Sequence, residues 1–348
     1  MTTTRRLTAA ALCAAALGAA ACSDSNKPEA VDPAVVSSGM TGLTATFSSN
    51  LAFQSLRELS GAFTFTAAGA AVSATLPPAP GDRTPVTLTP VQRHALTQFA
   101  LHGGSGALAI FPADVLGKTF VWDTVPNKYV KSLTATGAPS NGVRFELYLV
   151  NTATHQPQRP LIKVGYVDIT DLSTAQANKL GILVKYGTQT IASYTITAVV
   201  STSSIALSAA GYLTDGTARL DFDLSTAISQ TGLTIDYALN GSNGFSATLH
   251  VTVNLVTGAS TFVWTIANGG NSVEVNATAT NAAVNGQIKF NGVVVATLTG
   301  DPANPTIAGA AGHTFTTQQL ANLRAVFNGF GELLDQLDGI FAPGDLVF

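Results

Sequence analysis

Apolar and polar residues alternate strictly along most of this chain, from about Leu108 to Gly300. In Gly216–Ser225, Ala218, Leu220, Phe222 and Leu224 fall on one side, and Thr217, Arg219, Asp221 and Asp223 on the other. In Phe245–Leu255, Phe245, Ala247, Leu249, Val251, Val253 and Leu255 alternate with Ser246, Thr248, His250, Thr252 and Asn254. A period of two is that of a strand with one dry and one wet face. Asn-Gly or Asp-Gly pairs stand at 141–142, 215–216, 240–241, 243–244, 285–286 and 291–292. Such pairs supply the positive φ of tight hairpin turns. The pattern predicts a mainly β protein: a large antiparallel meander of roughly a dozen strands in a twisted or curved sheet.

Helical signals flank this β domain of 108–300. Residues 34–107 read as a helical N-terminal region. A first helix is expected over 34–60, where Leu43, Phe47, Leu51 and Leu59 recur at helical spacing. A short strand and a loop rich in Pro and Gly follow over 62–82. A second helix begins at Thr89, with Pro90 and Gln92 completing its start signal, and stops at Gly103 and Gly104. The last element, 316–341, opens with a Thr316/Gln319 capping box. Its stripe is Leu320, Leu323, Phe327, Phe330, Leu334, Leu337 and Phe341, spaced three and four apart. This predicts an amphipathic helix packed on the sheet, whose dry face needs a cover. Gly329 and Gly331 weaken it or let a neighbour come close.

The first residues read as a targeting segment. Arg5 and Arg6 precede an apolar run, Leu7 to Ala21, that ends Leu17-Gly18-Ala19-Ala20-Ala21-Cys22. That ending resembles the lipobox of bacterial lipoproteins. The resemblance implies a signal peptide at 1–21, cleavage before Cys22 and a lipid on that cysteine. Residues 22–33 are polar, with Pro28 and Pro33, and read as a tether. Of the two cysteines, Cys13 leaves with the signal, so the mature chain has no disulfide. Ser23 carries no Asp retention signal. The expected location is therefore the cell envelope at the outer membrane, with the domain in the periplasm or at the cell surface and the membrane as a partner through Cys22.

Charge narrows the remaining partners. Charged residues make up 11% of the chain, and Thr, Ser and Asn take their place. From Tyr186 onward there are 3 basic and 10 acidic residues, which argues against nucleic acid. A transmembrane barrel is disfavoured, because 7% aromatics is too few for two interfacial girdles.

No residue set stands out as catalytic. His102-Gly103-Gly104-Ser105-Gly106 resembles the HGG loop of lipases and esterases, but no G-x-S-x-G nucleophile elbow accompanies it. Asp215, Asp221 and Asp223 read as a solvated face rather than a calcium site. His94, His102, His155, His250 and His313 show no zinc spacing. The expectation is a non-enzyme with no cofactor and no metal.

Thr119-Phe120-Val121-Trp122 recurs as Thr261-Phe262-Val263-Trp264, and these segments hold both tryptophans. If a ligand or partner site exists, Trp122 and Trp264 with Phe327, Phe330 and Leu334 are its candidates, although tryptophan in an alternating strand more often packs a core. Two functions fit these observations. One is a structural or binding role in which the polar sheet face meets an envelope protein or a glycan. The other is a carrier or chaperone for a lipid or other apolar ligand. That second reading resembles the envelope's lipoprotein carriers in architecture only: a curved sheet with helices over an apolar hollow.

Overall fold

A computed structural model of the chain describes residues 33–59, 110–151, 153–201, 203–280, 282–301, 304–310 and 314–341. Two helices come first, α1 (Ala34–Ser49) and α2 (Leu51–Leu59). The strands begin with β1 (Lys118–Asp123), β2 (Lys128–Lys131), β3 (Gly142–Tyr148), β4 (Val150–Asn151), β5 (Gln156–Pro157) and β6 (Lys163–Asp171). Then come β7 (Asn178–Tyr186), β8 (Gln189–Val200), β9 (Ser204–Thr214), β10 (Arg219–Ser229), β11 (Gly232–Gly241) and β12 (Ser246–Asn254). The series closes with β13 (Ser260–Asn268), β14 (Asn271–Ala279), β15 (Val284–Phe290), β16 (Val293–Asp301) and β17 (Asn304–Gly309), before helix α3 (Thr317–Phe341).

Fifteen strands form one sheet in the order β17 to β6 by descending number, then β3, β1 and β2. It is an antiparallel meander with one exception: β2 folds back on the outer side of β1, so β3 arrives on the inner side, parallel to β1. Strands β4 and β5 form a separate small hairpin. Burial alternates along β10, β11 and β12 as the period of two requires. The sheet does not stop at 300, because β17 carries it to Gly309.

The sheet curls around its dry face. The Val35 carbonyl, near the start of α1, accepts from Asn268 Nδ2 at the end of β13, at 2.8 Å. Ser55 Oγ of α2 accepts from the Tyr148 amide at the end of β3, at 3.0 Å. Strands β13 and β3 are eight steps apart. Laid flat, eight steps span about 38 Å, while the helical stretch from 35 to 55 reaches only about 30 Å. The strands must therefore bend towards the helices. Both helices lie along one rim, here the upper rim, where β3, β11 and β13 end. The Gly39 carbonyl accepts from Asn243 Nδ2 in the β11–β12 turn, and Glu58 meets His155 in the β4–β5 hairpin.

The helix expected over 34–60 is broken at Asn50. Its backbone is extended there, and its Oδ1 accepts from the Ala52 and Phe53 amides, capping α2. Helix α1 buries Val36, Met40, Leu43 and Phe47, while α3 buries Leu323, Val326, Phe330, Leu333 and Leu337. The α3 face is thus rotated from the series read in the sequence: Val326 and Leu333 are inside and Phe327 is half-buried at the edge. A strict three-four stripe drifts around a straight helix, and a helix that meets both α1 and α2 needs a broader apolar face. Gly329 faces Met40, whose Cε would lie 2.7 Å from an added Cβ, so the flexible end of Met40 rests against α3 at this glycine. The helix and strand expected between residues 62 and 103 lie outside the described residues.

Two of the six predicted Asn-Gly or Asp-Gly turns lie within strands, and a third, Asn141-Gly142, ends a turn without positive φ, the Gly142 amide donating to the Pro139 carbonyl at 3.1 Å. Asp215-Gly216, Asn243-Gly244 and Asn291-Gly292 do close hairpins, the last with φ of 49° and 81°. Gly142 instead opens β3, Gly241 ends β11, and Gly286 lies within β15. Their reason is close approach rather than positive φ. A Cβ on Gly142 would lie 2.1 Å from the Ile169 carbonyl oxygen, and one on Gly286 would lie 2.7 Å from the Asn276 carbonyl oxygen.

Two expectations for stability follow from this packing. Gly142→Ala should weaken the β3–β6 pairing and lower the urea midpoint, while Gly42→Ala on open helix surface should not. Leu333→Ala should cost about 2–5 kcal/mol by the same denaturation measurement, as for other fully buried leucines.

Candidate functional site

Trp264 sits in the middle of β13, on the face that α3 approaches. Its ring lies 5.1 Å from Phe327, 5.0 Å from Phe330 and 6.4 Å from Phe262, all tilted. Its side is chosen by the alternation of β13, where Trp264 and Ile266 are buried and Thr261 and Val263 are exposed. The residue is 2% exposed, yet its indole Nε1–H meets no acceptor among the described residues. A buried donor without a partner carries a desolvation penalty, and indole N–H groups inside proteins usually find one. Trp264 is therefore an aromatic contact between sheet and helix that carries one polar atom without a partner among the described residues.

Trp122 is placed differently. In β1 it packs edge-on against Tyr129 at 5.2 Å, and Tyr129 packs edge-on against Phe145 at 5.1 Å. Phe120 stacks on Phe145 at 4.9 Å. The Tyr129 hydroxyl donates to the Glu146 carbonyl at 2.6 Å, and burial first, then Tyr148 and Glu146, pushes its pKa well above the usual phenol value. This cluster is aromatic packing at one end of the sheet. The two TFVW segments occupy unlike positions: β1 has β2 and a parallel β3 beside it, whereas β13 lies between antiparallel neighbours. Of the sequence candidates, the fold brings together Trp264, Phe327 and Phe330. Cys22, the side chain of Leu334, and His102 and Ser105 of the HGG segment lie outside the described residues.

Two of the three carboxylates singled out in the sequence have local partners. Asp221 is paired with Arg219 at 2.6 Å, and Asp215 Oδ1 accepts from the Thr217 and Ala218 amides in its turn. Among the described residues, no three His, Cys, Asp or Glu side chains come together. His250 contacts Asp236 across β11 and β12 at 2.5 Å.

Two features escaped sequence reasoning. The first is a charged cluster on β3 and β6, opposite Phe145. Arg144 donates to both oxygens of Asp168, at 2.7 and 2.8 Å, and lies 3.6 Å over the Tyr166 ring. Next to it, Glu146 is buried and paired with Lys163. The only hint in the sequence was charge at alternate positions of two strands, with no sign that they would pair.

The second is a ladder across the wet face. Thr234, Thr252, Thr261, Thr278, Asn285, Thr299 and Thr306 stand opposite one another on β11 to β17. Part of it lines a shallow groove of 560 Å³, with Asn254, Ser260 and Thr280. Each residue was readable as outward-facing, but only the register aligns them. Nearby, Lys289 bonds Glu274 at 2.8 Å and holds its carboxyl below the usual carboxylate value.

Compared with protein families, curated proteins and solved structures, the chain matches none.

Removing Trp264 tests the packing of its contact with α3. Trp264→Ala should cost about 3–5 kcal/mol, while Trp264→Phe, which loses the N–H and keeps a ring, should cost under about 1.5 kcal/mol, both by urea unfolding. Arg144→Ala should cost about 3–5 kcal/mol by stranding the largely buried Asp168, and the double change Arg144→Leu with Asp168→Leu should recover most of that.

Proposed function

We propose that this protein is a non-catalytic binding protein of the cell envelope, anchored by a lipid at Cys22, and that its ligand is apolar with one hydrogen-bond acceptor. The ligand lies against Trp264 between β13 and α3, and the helix acts as its cover. The observation that carries this reading is the buried Trp264 N–H, set among aromatic rings and without an acceptor among the described residues. Apolar pockets with one or two placed polar groups are the usual form of small-molecule sites. A curled sheet with helices on its dry face supports the same reading.

A second reading is favoured by the threonine ladder and its groove. Uncharged hydroxyls and amides in register suit a neutral glycan or the polar surface of another envelope protein. On that reading the dry side is only a core.

Native mass spectrometry of the processed chain separates the two. Added mass that leaves on denaturation, with lipid in the extract, is the expected result. Trp264→Phe should then lower ligand occupancy about five- to tenfold, the worth of one hydrogen bond. A clean ligand-free mass would overturn the carrier reading and direct the search to the groove.

A further inference from the structure

Two side-chain bonds clasp α1 to the sheet, and both come from an asparagine followed by glycine. Asn268 Nδ2 donates to the Val35 carbonyl at 2.8 Å, and Asn243 Nδ2 donates to the Gly39 carbonyl at 3.0 Å. The fit at the first is close, since a Cβ on Gly39 would lie 2.6 Å from Asn268 Cγ. Asn268-Gly269 adds a further pair to those singled out in the sequence, here at the end of β13. Asparagine is among the chemically labile residues. It is most so before glycine, whose missing Cβ leaves the backbone nitrogen open to the neighbouring side chain.

The fold sorts these pairs by what holds the glycine amide. The Gly142 amide donates to the Pro139 carbonyl at 3.1 Å, that of Gly241 to Phe245 at 2.8 Å and that of Gly244 to Gly241 at 3.1 Å. Gly286 lies in β15, laddered between β14 and β16. The amides of Gly269 and Gly292 meet no acceptor among the described residues, and both glycines are exposed in two-residue turns. These two open pairs differ in what hydrolysis does to them. Asn291 uses its oxygen, which accepts from the Ser272 amide at 2.8 Å, and a carboxylate keeps that bond. Asn268 uses its nitrogen. A carboxylate in its place is an acceptor only and faces the Val35 carbonyl with no hydrogen to give.

We propose that Asn268-Gly269 is a self-modifying site whose deamidation unfastens the first turns of α1 from the sheet. The Gly269 backbone nitrogen attacks the carbonyl carbon of the Asn268 side chain. The side-chain nitrogen leaves as ammonia, taking the proton that the Gly269 nitrogen gives up, and a succinimide ring closes. Water then opens the ring at either carbonyl, leaving aspartate or its isomer joined through the side chain. Water is the sole co-reactant. Helix α1 then keeps its apolar packing on α3, where Met40 meets Gly329, and loses its fixing to the end of β13. This inference does not depend on the ligand at Trp264.

The test incubates the full chain in mildly alkaline buffer and follows each Asn-Gly peptide by mass spectrometry. Residue 268 should gain one mass unit severalfold faster than residues 243 and 285, whose glycine amides are held. Conversion at 268 no faster than at those two would overturn the proposal. Hydrogen exchange then reads α1. In Asn268→Asp the amides of residues 39–43 should exchange about five- to tenfold faster, the worth of one hydrogen bond. Asn291→Asp, the same change of charge, should leave them as they are. Unchanged exchange in Asn268→Asp, or equal acceleration in both variants, would also overturn the proposal. If Asn268→Asp does not fold, the aged native chain, separated by its extra negative charge, supplies the same comparison.

Discussion

The rest of this structure depends on covering the dry face of a fifteen-stranded sheet. A meander of this length has two open edges and a continuous apolar surface that water cannot be allowed to meet. Curling brings strands eight steps apart within reach of one helical segment, and α1, α2 and α3 then share the burial. In the α1–α3 contact, Gly329 leaves room for the end of the Met40 side chain. Side-chain bonds from Asn243 and Asn268 to α1 carbonyls fix the helix to the strand ends.

The two faces of the sheet have different chemistry because the alternation keeps them apart. Inside, Trp264 brings a polar atom into an aromatic setting where none of the described residues satisfies it. Outside, threonine and asparagine replace the charges that most surfaces use, and the residues opposite one another on β11 to β17 form a ladder of hydroxyls and an amide. Cross-strand charged pairs stand at Arg144–Asp168 and Glu146–Lys163, where β3 is buried on both sides, and singly at His250–Asp236 and Lys289–Glu274. A weakly charged surface leaves interactions to shape, hydroxyl bonding and apolar contact.

How much was legible in the sequence varies with the range of the physics. Alternation reports on each strand's own neighbours and was readable from Ala218 to Leu224 without any partner in view. The glycines were harder. At positions 216, 244 and 292 local turn geometry decides, whereas at 142 and 286 the reason lies in a strand that the sequence does not place alongside. The α3 stripe was displaced for the same reason, since which of Val326 or Phe327 faces inward depends on where α1 packs. Arg144 and Asp168 lie 24 residues apart, so nothing local announced their bond.

By itself the sequence determined the mainly β class, the single wet and dry faces, the helices at both flanks and the lipobox-like ending at Cys22, because each is written in short-range periodicity or contiguous motifs. Only the tertiary structure decided the strand register, the parallel β1–β3 pair, the curl, the meeting of Trp264 with Phe327 and Phe330, and the alignment of the threonine ladder. These depend on contacts between residues far apart in the chain, whose partners are fixed by packing and not by pattern.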